Sequence, residues 1–179
     1  MLNKKIDEPM GVFGSQSRGH ISRADTCVIA SSIPAGVTVP LHSHIERETF
    51  YIVSGSLEVF DKTGWRTLSG GNTFDMPPES EHAFRNISGD PVSVALVVPT
   101  KVVEFFASIG RPICILPLGS PSPEALREFV SAAVEHGYWL GTSKVDMTAG
   151  ISRFLTAMEQ ADRSEISRSR WFRTGKRDS

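Results

Sequence analysis

The chain has 179 residues, 40% of them hydrophobic, and a formal net charge of −1. That is enough for one sizeable core, and too close to neutral for a general attraction to nucleic acid. No run reaches the ~18 apolar residues that cross a bilayer, so no membrane partner is expected. The start, Met1 to Pro9, lacks an apolar core of signal-peptide length, so a cytoplasmic location is expected. Cys27 and Cys114 are isolated and read as free thiols, Cys27 as a small core residue within Thr26-Cys27-Val28-Ile29-Ala30.

Along the chain, a first pattern runs Gly36, five residues, His42-Ser43-His44, three residues, Glu48, six residues, Gly55. Strand alternation sends His42 and His44 to one face. Glu48 to Ser54 is rich in aromatic and β-branched residues and reads as a strand, with Glu48, Phe50 and Ile52 on one face. Gly55 closes it, Leu57 to Phe60 returns, and Asp61-Lys62-Thr63-Gly64 signals a hairpin turn. A second pattern runs Gly71, five residues, Pro77-Pro78-Glu79, two residues, His82, three residues, Asn86. Asn72 to Met76 is a short strand stopped by the prolines, and His82 to Asn86 another, with His82 and Phe84 on one face. Val92 to Val98 is a nearly continuous apolar run and reads as a strand buried on both faces.

His42, His44, Glu48 and His82 together form a ligand set suited to a divalent transition metal. A bare Glu48 heading an apolar face would be costly to bury, and a metal removes that cost. His20 and His136 lie outside the two patterns and read as ordinary histidines.

In spacing and in nearly every fixed residue, the two patterns resemble the motifs of the cupin superfamily, over roughly residues 25–100. The resemblance implies a mainly β fold, an antiparallel double-sheet jelly-roll barrel, with His42, His44, Glu48 and His82 binding one metal inside it. One departure is Glu79, which stands where the second motif usually has glycine. A non-glycine residue disfavours positive φ, so the family's turn does not carry over unchallenged there. No second copy of the motifs follows, so a single barrel is expected, and single-barrel cupins imply a homodimer.

The expected organisation is an N-terminal arm over 1–24, the barrel over 25–100, a helical extension over 101–162 and a basic, flexible tail over 163–179. Val102 to Ile109 reads as a short helix stopped by Gly110. Arg111 to Pro123 reads as an extended connector. Ser122 as cap and Pro123 at the first helical position start a helix to about His136, with Leu126, Phe129, Val130, Ala133 and Val134 as its apolar face and Gly137 as its stop. A further helix is expected over 148–161. Two arrangements are open for the extension: packing on the outside of the barrel or on a neighbouring subunit, or a lid over the barrel mouth closed by Tyr138-Trp139. The tail's arginines and lysines read as a solvated terminus rather than a nucleic-acid arm.

By strand parity Phe50, Ile52, Phe74 and Phe84 line an apolar, partly aromatic cavity for a small-molecule substrate. No lysine or arginine is placed on an inward face, and Arg85 alternates outward from His82. The leading functional reading is a metal-dependent oxygenase similar to the quercetin-dioxygenase-like cupins, with Fe, Mn, Ni or Zn as candidate metals and Glu48 as a general base. Two others stand beside it: a ligand-binding barrel without turnover, and a non-oxidative isomerase, decarboxylase or lyase using the metal as Lewis acid.

Overall fold

The computed structural model describes residues 10–12, 15–23, 25–112 and 122–141. Cys114, the expected helix over 148–161 and the basic tail lie outside the described residues. The described chain is mainly β, two antiparallel sheets facing each other, with two helices after the barrel strands.

The strands are β1 (Met10–Val12), β2 (Ser15–Arg23), β3 (Thr26–Ile33), β4 (Thr38–Ser43), β5 (Glu48–Ser54), β6 (Ser56–Asp61), β7 (Gly64–Ser69), β8 (Thr73–Met76), β9 (His82–Arg85) and β10 (Val92–Pro99). Helix α1 (Thr100–Ile109), strand β11 (Arg111–Pro112), helix α2 (Pro123–Glu135) and strand β12 (Trp139–Leu140) follow. One sheet has the order β11-β1-β2-β3-β10-β5-β8 and the other β12-β4-β9-β6-β7. β1 and β2 belong to the segment read from sequence as an arm, and they extend the larger sheet through β2's pairing with β3.

Alternation dictates which faces meet. In β5, Glu48, Phe50 and Ile52 are buried while Tyr51 and Val53 are exposed. β5 and β6 are consecutive but lie in different sheets, so the chain crosses between layers at Gly55. That crossing needs glycine: its φ is 88°, and a Cβ would come within 3.1 Å of both Pro91 O and Val92 Cα. β6 and β7 form the hairpin expected at Asp61–Gly64.

β10 differs from its sequence reading. Val92, Val94, Leu96 and Val98 are buried, but Val97 on the other face is 41% exposed. Hydrophobicity on both faces therefore does not mean burial on both. β10 is central in hydrogen bonding, between β3 and β5, yet only one of its faces meets the second sheet.

Two apolar clusters result. The first fills the barrel, with Phe50, Ile52, Leu57, Val59 and Phe74 at its centre and Cys27 at its edge, its Sγ 3.9 Å from Thr100 Oγ1. The second lies between β4 and the helices, joining Val39, Leu41 and Ala83 to Phe105, Leu126, Phe129, Ala133, Tyr138 and Leu140. α2 has the expected ends: Ser122 Oγ accepts from Ala125 N at 3.2 Å, and Gly137 ends the helix with φ 78°. Asn86, fully buried, ties the β9–β10 turn together by donating to Ile33 O and Asp90 O and accepting from Ser88.

Candidate metal centre and its cavity

Three elements deliver the four predicted ligands. His42 lies in β4, His44 just beyond its end, Glu48 opens β5 and His82 opens β9. β4 and β9 are neighbours, with His42 opposite His82. A register shift between Val39 and His42, at Pro40-Leu41, breaks strict alternation, so that Val39 and His42 line the same cavity. A bulge is where a strand tolerates proline, which has no N–H for the ladder.

One ligand atom from each of His42, His44, Glu48 and His82 lies within 4.8 Å of the others, and all four residues are buried. The His42 and His82 rings are 4.1 Å apart, and Glu48 Oε2 is 3.3 Å from His44 Nε2 and 3.7 Å from His82 Nε2. Each imidazole is oriented by a backbone carbonyl of its own segment. Nδ1 of His42 donates to Pro40 O, Nδ1 of His44 to Glu46 O and Nδ1 of His82 to Ser80 O, all at 2.8 Å. A carbonyl only accepts, so the proton sits on Nδ1 and Nε2 is left with a free lone pair. His82 Nε2 is buried without a hydrogen-bond partner. A divalent metal fits this donor set and supplies the missing partner.

The electrostatics agree. Burial, then the His82 and His44 imidazoles, push His42 well below its ordinary value, so it stays neutral. Burial opposes charge on His44, but the Glu48 carboxylate overrides it and raises its pKa. Burial likewise opposes charge on Glu48, yet the neighbouring His44 and His82 imidazoles hold its pKa down at about 2.

The cluster opens onto a cavity of about 70 Å³. Phe50 and Phe84 line it, as parity predicts. Ile52 and Phe74 do not: both are buried in the barrel core, with Ile52 opposite Val94 and Phe74 under the Arg66 guanidinium. Parity gives the face of a strand but not the depth along it, and the barrel is packed solid at their level.

Sequence reasoning missed most of the rest of the wall. Val102, Phe105, Phe106 and Ile109 of α1, Phe129 of α2 and Tyr138 all line the cavity. The described part of the extension thus packs on the barrel and, through α1, α2 and Tyr138, also lines the cavity beside the ligands. Ser17 and Ser31 add hydroxyls 2.9 Å apart. Among the described residues, no lysine or arginine lines the cavity. Arg85 turns outward, bonded to Glu58 at 2.6 Å and stacked over Trp65. Glu79 adopts φ 63°, so the motif's turn keeps its left-handed shape without glycine, its N–H donating to His44 O.

A Cupin domain model matches residues 30–99. Among solved structures, the chain is similar to the polyketide cyclase RemF from Streptomyces resistomycificus, at 18% identity over 51% of this chain and 68% of that one, TM-score 0.46. It is similar to an RmlC-like cupin from Shewanella frigidimarina, at 15% identity over 55% and 87%, TM-score 0.47. It is also similar to a cupin-superfamily sugar phosphate isomerase from Silicibacter pomeroyi, at 20% identity over 50% of this chain and 61% of that one, TM-score 0.44. A comparison with curated proteins gives no match.

Proposed function

We propose, from the premise that the chain belongs to the cupin superfamily through residues 30–99, that it is a metal-dependent enzyme with dioxygenase-type chemistry on a small, partly apolar substrate. The observation that carries this reading is the convergence of three imidazole Nε2 atoms and one carboxylate beside an aromatic cavity that, among the described residues, is lined by no lysine or arginine. Such a cavity does not suit a sugar phosphate or a polyacid, which need a fixed cation. A divalent iron, manganese, nickel or zinc ion held by His42, His44, Glu48 and His82 would supply Lewis acidity and, for iron or manganese, redox chemistry toward dioxygen.

The residues themselves do the rest. Phe50, Phe84, Phe105 and Phe129 hold the apolar body of the substrate and exclude water. Glu48 offers the carboxylate oxygen that takes a substrate proton as general base. The test is oxygen uptake by metal-loaded protein offered a panel of enols and catechols. Metal-dependent uptake supports the reading, and none across the panel sinks it. Turnover of the panel without oxygen would favour the second reading, an isomerase, decarboxylase or lyase, which the buried Glu48 base equally serves. Binding without any turnover would leave a ligand-binding barrel. We further propose a homodimer, since Tyr51, Val53 and Val97 expose apolar side chains on the outer face of adjacent strands β5 and β10. Sedimentation of the purified protein checks it, and a monomer at micromolar concentration would rule it out.

A further inference from the structure

Tyr138 is 4% exposed, and its hydroxyl is buried with no hydrogen-bond partner among the described residues. Its side chain lines the cavity together with His44 and Glu48. A buried phenol left without a partner is costly, and the fold keeps it in place from both sides. Before it, Gly137 ends α2 in the left-handed conformation and Tyr138 N donates to Ala133 O at 2.8 Å. After it, β12 pairs with Ser43 and His42, and Gly141 N donates to Leu41 O at 2.7 Å. The ring is packed against His44 at 4.8 Å and Phe105 at 4.7 Å. This residue is held in register with a ligand-bearing strand.

We infer that the Tyr138 hydroxyl donates a hydrogen bond to an oxygen atom of the cavity's ligand, and that this ligand is a compact, largely apolar molecule carrying a hydroxyl or enol oxygen. The inference rests on the metal-site reading proposed above. The other hydroxyls of the wall, Ser17 and Ser31, already face each other at 2.9 Å. With no cation among the described residues of the wall, an oxygen-bearing ligand meets one metal-facing end and one fixed phenolic donor. The donor selects for oxygen, because an apolar atom placed there would leave the phenol unsatisfied.

The test uses Tyr138→Phe, which keeps the ring contacts and removes only the hydroxyl. Wild type and variant are loaded with cobalt(II), and 4-nitrocatechol is titrated in while its visible absorbance is followed. The variant is expected to hold as much cobalt as wild type and to bind 4-nitrocatechol about tenfold more weakly, the scale of one hydrogen bond to a charged oxygen. Without metal or ligand, the variant is expected to melt at a higher temperature, since it no longer buries an unpaired hydroxyl. Equal affinity at full cobalt loading, or a lower melting temperature, overturns the role of Tyr138 and leaves the metal site standing. No binding of 4-nitrocatechol to cobalt-loaded wild type overturns the ligand class. Failure of wild type to take up cobalt removes the metal-site reading itself, and this inference with it.

Discussion

Residues 42 to 82 bring four ligands together within the barrel, whereas the described residues of 100–112 and 122–141 contribute none of them and yet build part of the cavity wall. Two apolar clusters tie the regions together: the one between the sheets takes in Val102 and Val103 of α1, and the one between β4 and the helices takes in Val39, Leu41 and Ala83, with Phe84 and Phe106 packed against both. The candidate ligands come from the barrel alone, while the cavity wall is shared between the barrel and the segment after it, so substitutions in the later segment can address the wall without touching a ligand.

The largest effect is expected from His42→Ala combined with His82→Ala. Elemental analysis of anaerobically purified protein should fall from about one transition metal per chain to below about a tenth. Metal retained by the double variant would break the assignment of the barrel as the metal-holding region. Next, Ile52→Ala and Phe129→Ala should each lower stability by about 3 kcal/mol in urea unfolding, since both are large side chains in packed cores. Only Phe129→Ala should also weaken 4-nitrocatechol binding. Parallel binding losses in both would erase the division between the regions.

Smaller effects sharpen it. Ser122→Ala removes the cap of α2 and should cost about 1 kcal/mol, lowering the melting temperature by roughly 2–4 °C without changing metal content. Glu79→Gly relieves a left-handed residue between β8 and β9, with an expected gain of about 0.5–1 kcal/mol in the same unfolding experiment. A loss there would mean that the Glu79 side chain contributes more than its backbone costs.

The barrel was largely legible because its signals are local. Period-two alternation put Glu48, Phe50 and Ile52 on one face, and the spacing of His42, His44, Glu48 and His82 pointed to one cluster. Depth was not legible, so Ile52 and Phe74 were placed in the cavity wall when they belong to the solid core. Nor could an apolar run such as Val92 to Val98 say which of its faces is covered. α2 was readable from Ser122, Pro123 and Gly137, but its docking was not, because the pairing of Trp139-Leu140 with Ser43-His42 spans nearly a hundred residues. The Nδ1 bonds to Pro40, Glu46 and Ser80 carbonyls left no mark in composition, since every residue has a carbonyl.

That pairing of β12 with β4 also sets an order of events. By the time residue 82 has left the ribosome all four ligands have been synthesised, but the strand that flanks His42 is made nearly sixty residues later. Bringing such distant segments together carries the entropy of closing a long loop, so their contact belongs to the late part of folding. A nascent chain would therefore pass through a stage with its ligands in place and its cavity unroofed, and a metal could enter then by a route that the finished fold narrows.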